Sequence, residues 1–206
     1  MRWDRPPMFE AVISLPSWVS ERVDFSIPYA TDEDRMQLAI RLAQENVERG
    51  TGGPFGAAVF ERGTGQLVSV GVNMVVRLNN CTLHAEMMAF QLAQKRVASY
   101  TLAGDGGVSP AHELFTSCAP CAMCLGATLW SGVSRLVCGA SREDAEQLDF
   151  DEGPVFSESY AYLAKRGVEV VRDLLRTDAR KVIERYHALG GEVYNGVERE
   201  QPDAGD

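Results

Sequence analysis

The sequence predicts an α/β domain in which helices cover both faces of a mixed β-sheet, giving three layers. Three observations support this fold class. The chain has 206 residues, 45% of them apolar, which is enough for one substantial core. A helix pattern followed by two adjoining strand patterns predicts an antiparallel hairpin. Strands and helices then alternate, which predicts right-handed crossovers between parallel strands.

We assign residues 1–206 to a single domain, because the chain has no internal repeat and no low-complexity linker. Residues 1–30 precede the first clear helix pattern and are treated as an amino-terminal extension. Residues 197–206, VEREQPDAGD, contain five charged residues and no large apolar side chain beyond the Val at their start. We expect them to form a solvated tail.

The first half of the chain predicts one helix and a hairpin. The helix covers TDEDRMQLAIRLAQENVERG, with Thr31 as its N-cap and Gly50 as its end. Its apolar residues recur at helical spacing: Met36, Ala39, Ile40, Ala43 and Val47. The next segment, PFGAAVFERGTGQLVSVGVNMVV, is rich in Val and Phe and turns at Gly63 and Gly65, which predicts two paired strands.

The second half alternates between helix and strand patterns. TLHAEMMAFQLAQKRV predicts a helix, HELFTS a strand, CAMCLGATLWSG a helix and RLVCGA a strand. SESYAYLAKRG, VEVVRDLL and DARKVIERYHALGG then predict a further helix, strand and helix. This order predicts a parallel section of the sheet beyond the hairpin.

The charge balance argues against a polynucleotide partner. The chain has 20 basic and 29 acidic residues, a formal net charge of −9, and no Lys/Arg-rich block. Such a surface repels phosphate backbones unless the basic residues are strongly segregated. We therefore expect a small, neutral substrate and no nucleic-acid partner.

The sequence also predicts where the protein resides. No apolar stretch is long enough to span a membrane, so we expect no membrane partner. Asp4, two prolines and Glu10 come before any hydrophobic run that could serve as a signal peptide, which predicts a cytoplasmic location. In that reducing compartment an odd total of five cysteines fits disulfides poorly. Metal binding or simple burial are the remaining uses for the thiols.

Two cysteines in the stretch SCAPCAMC are suited to bind one metal ion. Pro120 favours the first position of a helix, which would place Cys121 in the first turn and Cys124 one turn further on the same face. The positive end of the helix dipole also favours the thiolate forms. The spacing therefore predicts a pair of metal ligands.

His84 is the best candidate for a third ligand, and Glu86 follows two residues later. Residues at i and i+2 of a regular helix point apart, so Glu86 is expected to reach a metal-bound water rather than the metal. One His and two Cys leave a tetrahedral zinc with an open position, as in catalytic sites, where bound water has a pKa of about 7. Glu86 would take the proton of that water.

Two other interpretations of the cysteines remain open. Cys118, Cys121 and Cys124, with Cys138 as a distant fourth ligand, could hold an iron–sulfur cluster. A closed structural zinc site with Cys118 or Cys81 as fourth ligand would instead make a noncatalytic, zinc-stabilised binding protein. Outside these cases we expect Cys81, Cys118 and Cys138 to be small buried residues.

HAE followed by PCAMC matches the H-x-E…P-C-x-x-C signature of zinc deaminases. With its order of hairpin, HAE helix, strand, PCAMC helix and strand, the chain resembles the cytidine deaminase superfamily from Thr31 to about Ser141. The stretches PFGA, GVN, LVCGAS, FDEGP and a carboxy-terminal YN are similar to the bacterial guanine deaminase branch. The resemblance implies the superfamily's three-layer fold around a mixed sheet.

The resemblance also implies a set of site residues. Zinc would be bound by His84, Cys121 and Cys124, with Glu86 moving protons. Glu152 would be a second catalytic acid placed against a purine. The implied substrate-binding residues are Asn73, which would hydrogen-bond the base edge, and Phe55, Ala57 and Ala85. The superfamily usually has an acid before the proline, where this chain has Ala119, so a hydrogen bond made by that acid is not expected.

The activity implied by the resemblance is hydrolysis of guanine to xanthine and ammonia by a zinc-dependent homodimer, whose carboxy-terminal segment helps to close a site. Other small substrates remain open: cytosine, a triazine such as ammeline, or a nucleoside. Adenosine in tRNA is disfavoured by the acidic charge balance.

Overall fold

The computed structural model describes residues 8–107 and 109–196, and the predicted tail, residues 197–206, lies outside them. The strands are β1 (Gly56–Glu61), β2 (Leu67–Val72), β3 (His112–Cys118), β4 (Arg135–Ala140) and β5 (Glu169–Val171). The helices are α1 (Trp18–Arg22), α2 (Asp32–Glu48), α3 (Val75–Leu78), α4 (Ala85–Val97), α5 (Ala122–Ser131), α6 (Arg142–Glu146), α7 (Ser157–Lys165) and α8 (Arg176–Ala188).

The five strands form one sheet in the order β2-β1-β3-β4-β5. Strand β1 is antiparallel to both β2 and β3, whereas β3, β4 and β5 are parallel to one another. Helices α2 and α8 pack on one face, and α4, α5 and α7 pack on the other. The predicted three-layer α/β fold with a mixed sheet is confirmed.

The strands are covered on both faces, as their sequences require. Along β1, Ala58 and Phe60 belong to the core beneath α2, whereas Ala57 and Val59 belong to the core beneath α4. This alternation follows from the two-residue period of a strand. All seven residues of β3 are buried, as expected for a strand covered on both faces, and its buried Glu113 pairs with Arg35 and Arg135.

Helices α2 and α4 lie directly on the sheet where a glycine faces them. A Cβ on Gly71 of β2 would lie 2.0 Å from the Ala85 carbonyl oxygen and 2.6 Å from the Ala89 nitrogen. A Cβ on Gly56 of β1 would lie 2.3 Å from the Ala39 carbonyl oxygen. Only glycine permits these approaches, so Gly71 sets the position of the first turn of α4.

The amino-terminal extension packs on the domain. Trp18 and Val23 are buried within the core beneath α2. Gln66 Nε2 donates to the Phe25 carbonyl at 2.7 Å, and the Tyr29 amide donates to the Gly65 carbonyl at 2.9 Å. No helix among the described residues has the length and apolar character needed to cross a membrane.

Some local predictions were wrong. The second strand of the hairpin ends at Val72, and helix α3 replaces its expected continuation, because Asn73 Oδ1 accepts a hydrogen bond from the Val75 amide and turns the chain. Strand β5 is shorter than expected, since Asp173 and Leu175 have positive φ. Helices α1 and α6 were missed, because five residues are too few to show a helical period.

Two predictions about individual cysteines were also wrong. Helix α5 begins at Ala122, so Cys121 is its N-cap residue rather than part of the first turn, and Pro120 precedes the helix. Cys81 is exposed, because it lies in the turn between α3 and α4. Cys118 and Cys138 are buried, as expected.

We expect Gly71→Ala to destabilise the protein by about 3 kcal/mol, because the new Cβ would collide with backbone atoms of α4 that cannot move alone. The measurement is the urea midpoint of unfolding. The matched control is Gly126→Ala in α5, where no described atom outside the adjoining residues and the helix's own backbone lies within 4 Å of a new Cβ. That variant should be neutral or stabilised by about 0.5–1 kcal/mol. An unchanged midpoint for Gly71→Ala would contradict the close packing of α4 on β2.

Candidate active site

A cavity of about 470 Å³ opens where the beginnings of α4 and α5 meet the loop after α6 and the carboxy-terminal segment. Of the predicted site residues, those that line it are Phe55, His84, Glu86, Cys121 and Glu152. The others lie behind its wall and are fully buried: Ala57, Asn73, Ala85 and Cys124. The predicted residues are therefore grouped around one cavity, some lining it and the others buried behind the lining residues.

Three side chains form a group suited to a metal ion. The ligand atoms of His84, Cys121 and Cys124 all lie within 4.8 Å of one another, and His84 Nδ1 is 3.5 Å from Cys121 Sγ. In a tetrahedral site with zinc bonds of about 2.0 Å to nitrogen and about 2.3 Å to sulfur, an N···S separation of about 3.5 Å is expected. The donor set and its spacing fit a zinc ion.

The other cysteines lie outside this group among the described residues. Cys118 is buried, and its thiol contacts the Ser141 carbonyl oxygen at 3.6 Å instead. Cys81 is exposed in its turn. The group therefore has three protein ligands, which leaves a fourth tetrahedral position for water or substrate.

The backbone explains how residues on two helices converge. His84 is the N-cap of α4 and Cys121 is the N-cap of α5, and both have extended rather than helical dihedral angles. The directions of the two side chains are therefore not set by the repeat of 3.6 residues per helical turn. Glu86 stands in the first turn of α4, so it can share the site with His84 despite the separation of two residues.

The pKa values of Cys121 and Cys124 are shifted in opposite directions. The pKa of Cys121 is lowered to about 4, because Cys124 and then His84 hydrogen-bond its sulfur and outweigh the effect of burial. The pKa of Cys124 is raised well above its usual value by its hydrogen bond to Cys121 and by burial. The lowered pKa of Cys121 favours its thiolate, which is the form that binds a metal ion.

Both acids in the cavity favour the protonated form more than a solvated carboxyl does. Glu86 is 6% exposed, and its pKa is raised by burial and by the charge of Cys121. Glu152 is 8% exposed, and the same two causes, with the charge of Glu86, raise its pKa to about 8. Buried carboxyls with raised pKa values in a cleft are typical of acid–base sites.

The loop that carries Glu152 is fixed at two points. The Glu152 carbonyl accepts a hydrogen bond from the Ala122 amide at 2.9 Å, which ties the loop to the beginning of α5. Asn195 holds the other side, since its Oδ1 accepts from the Asp151 amide at 2.9 Å and its Nδ2 donates to the Asp149 carbonyl at 2.8 Å. The carboxy-terminal segment thereby closes one side of the cavity.

Two buried polar atoms, one on a residue that lines the cavity and one behind its wall, have no hydrogen-bond partner in the part of the chain that the structure describes. They are Asn73 Nδ2 and Tyr194 Oη. A Cβ on Gly53 would lie 2.6 Å from Tyr194 Oη and 3.1 Å from Asn73 Oδ1, so both side chains converge on this glycine. Unpaired buried donors are uncommon and mark positions where a ligand could bind.

Sequence reasoning missed some residues of the site. Tyr194 was noted only as a marker of resemblance, yet its ring lies 6.3 Å from that of His84 and 5.5 Å from that of Phe150. Phe150 in turn packs edge-on against Phe55 at 5.1 Å. The FDEGP and YN stretches contained the signal, but nothing in them showed that they meet.

Comparisons with known proteins agree with this geometry. Residues 29–140 match the model of the cytidine and deoxycytidylate deaminase zinc-binding region. The guanine deaminase of Bacillus subtilis (strain 168) is 36% identical over 126 residues, which are 61% of this chain and 75% of that protein. A solved structure of guanine deaminase from Nitrosomonas europaea is 38% identical, with a TM-score of 0.83, covering 89% of this chain and 100% of that one. A tRNA-specific adenosine deaminase of Buchnera aphidicola subsp. Schizaphis graminum is 28% identical over 73% of this chain and 90% of that protein.

We expect Asn195→Ala to release the carboxy-terminal segment from the Glu152 loop, because the substitution removes both hydrogen bonds. Hydrogen exchange at the Asp151 amide should become about tenfold faster, as expected for loss of about 1–2 kcal/mol of hydrogen bonding. Asn80→Ala is the control, since Asn80 also accepts from a backbone amide, but only within its own turn. Unaltered exchange at Asp151 would show that Asn195 does not hold the loop.

Proposed function

Because this chain belongs to the cytidine and deoxycytidylate deaminase family, and is a hydrolytic deaminase with a guanine deaminase resemblance, we propose that it converts guanine to xanthine and ammonia. The observation that carries the proposal is a single cavity lined by buried Glu152 together with His84 and Cys121 of the metal-binding group. That arrangement combines a metal-binding group with a second buried acid in one cavity of a size that suits a small ring.

We propose that His84, Cys121 and Cys124 hold a zinc ion. The family model is that of a zinc-binding region, and the donor set fits zinc. Zinc bound there would act as a Lewis acid that makes water a nucleophile near neutral pH.

Glu86 is the proposed proton carrier of the reaction. It lines the cavity beside the metal-binding group, and burial raises its pKa, which suits a carboxyl that both accepts and donates a proton. It would take one proton of the attacking water and pass it to the adjacent ring nitrogen. It would then take the second proton from the hydroxyl on the attacked ring carbon and give it to the departing amine, as the C–N bond breaks and the C=O bond forms. These transfers balance, because water supplies the oxygen of the product and the proton that leaves with ammonia.

Glu152 and the residues around it are proposed to recognise the base. With a pKa of about 8, Glu152 is largely protonated at neutral pH and can donate a hydrogen bond to the far edge of a purine. Phe55 contributes an aromatic wall, and Asn73 carries an unpaired amide donor. Ala57 and Ala85 are proposed to act only as the small residues behind that wall.

A free base suits the cavity better than a polynucleotide. The cavity is closed on one side by the segment containing Tyr194 and Asn195, and the chain carries a net charge of −9. Deaminases that act on tRNA must also bind phosphates, which such a charge disfavours. The tRNA-specific relative keeps this substrate as the second candidate. The homodimer and the cytoplasmic location implied by the sequence stay predictions.

We expect Cys121→Ala and Cys124→Ala to lose zinc, because two protein ligands bind it too weakly. The purified wild-type protein should hold about one zinc per chain when measured by atomic emission. Cys118→Ala is the matched control, since Cys118 has the same spacing in sequence but contacts Ser141. Zinc loss in Cys118→Ala would support a closed structural site, and iron with sulfide would support a cluster.

We expect Glu86→Gln to lower kcat for guanine by about two to four orders of magnitude while zinc is retained, because the amide cannot carry a proton. Ammonia release is measured with guanine, cytosine, ammeline, cytidine, adenosine and tRNA. Glu146→Gln is the control, since Glu146 is a nearby acid that pairs with Arg142 outside the cavity. Near-normal turnover by Glu86→Gln would remove it from the mechanism. Faster turnover of another compound than of guanine would replace the proposed substrate.

A further inference from the structure

A chain of hydrogen bonds runs from the amino-terminal extension to the wall of the cavity. Trp18 Nε1 donates to Thr51 Oγ1 at 3.1 Å, and Thr51 Oγ1 donates to Asn46 Oδ1 at 2.7 Å. Asn46 Nδ2 then donates to the carbonyl oxygens of Gly53 and Asn73, both at 2.9 Å. The chain thus ends on the backbone of the residue with the unpaired amide donor.

The donors and acceptors fix the direction of every bond in this chain. An indole nitrogen only donates, so the Thr51 hydroxyl must accept from Trp18 and has its own hydrogen free for Asn46. The two carbonyl oxygens only accept, so they must face the amide nitrogen of Asn46. If the Asn46 side-chain amide were rotated by 180°, its oxygen would face the two carbonyl oxygens, so only the observed orientation satisfies its three hydrogen bonds.

Asn46 completes the restraint on Asn73. The backbone amide of Asn73 donates to the Phe55 carbonyl at 3.0 Å, and the side-chain Oδ1 of Asn73 accepts from the Val75 backbone amide at 3.3 Å. With its carbonyl held by Asn46, every other polar group of Asn73 is engaged, and Nδ2 is left without a partner among the described residues. Asn46 and Asn73 are both completely buried, so water cannot replace these contacts.

The glycines beside Thr51 are required for this contact. A Cβ on Gly52 would lie 1.9 Å from the Asn73 carbonyl oxygen and 2.7 Å from Asn46 Nδ2. The segment TGG therefore has no room for a side chain at Gly52, and it brings the Thr51 hydroxyl within reach of Asn46.

The extension supplies the outer end of the chain. Trp18 lies in α1, is 5% exposed, and carries the Arg49 guanidinium 5.7 Å from its ring centroid. We propose that Trp18, Thr51 and Asn46 are positioning residues. By holding the backbone carbonyl of Asn73, they keep its side-chain amide in the orientation required to bind the substrate. The amino-terminal extension would thereby contribute to substrate affinity. This inference rests on the proposed function, in which Asn73 contacts the base.

Thr51→Val removes the hydroxyl and keeps the shape, whereas Thr51→Ser keeps the hydroxyl. Thr51→Val should raise KM for guanine about fivefold and change kcat less than twofold, as expected for loss of about one hydrogen bond. Thr51→Ser should keep the wild-type KM, and Trp18→Phe should raise it. Arg22→Gln is the control, because Arg22 ties the same helix to α2 through Glu45 but takes no part in the chain.

A second measurement does not depend on turnover. In the ¹⁵N spectrum of the substrate-free protein, the side-chain amide of Asn73 should shift and its protons should exchange about fivefold faster in Thr51→Val, but not in Thr51→Ser or Arg22→Gln.

Equal increases of KM in Thr51→Val and Thr51→Ser would mean that only packing matters, and would overturn the inference. An unchanged Asn73 amide signal in Thr51→Val would also overturn it. If the wild-type protein does not deaminate guanine, the proposed function fails, and the amide signal alone decides whether Asn46 and its neighbours position Asn73.

Discussion

The site depends on the meeting of two helix amino termini. His84 and Cys121 are the N-cap residues of α4 and α5, and the sheet brings them close enough for His84 Nδ1 to lie 3.5 Å from Cys121 Sγ. The positive ends of both helices therefore face the same point, which stabilises thiolate and carboxylate there. This field compensates part of the cost of burying Cys121 and two acids together. Helix α4 is held in place by Gly71, where its backbone lies directly on β2.

Burial and nearby negative charges disfavour the ionised forms of the two acids in the cavity. Glu86 and Glu152 are buried near each other and near the Cys121 thiolate, so each charge opposes the next. Protonation relieves the repulsion, and the pKa values of both carboxyls are therefore raised above those of solvated acids. The same burial that would destabilise the fold therefore prepares the groups that the proposed reaction needs.

The sequence predicted well what depends on local periodicity and on short motifs. Thr31 caps α2 in a capping box with Asp34, as the pattern indicated, and the alternation of strands and helices gave the mixed sheet. The motif spacing also predicted that His84 lies near the cysteines.

Contacts between distant segments could not be predicted, because no local pattern records them. Asn195 meets the Glu152 loop, and Trp18 meets Thr51, across more than thirty residues in each case. Helix α3 was missed because the Asn73 side chain, rather than the β-branched residues that follow, determines the backbone there.

The parts of the cavity come from separate elements. The metal-binding group and Glu86 belong to the first residues of α4 and α5, which are fixed by the core. The opposite wall, with Glu152 and Tyr194, comes from a loop and a chain end that are joined by Asn195. Exchanging that wall would leave the proposed metal ligands and Glu86 untouched, so new substrates could evolve on this scaffold through changes in two short segments while the proposed chemistry is inherited unchanged.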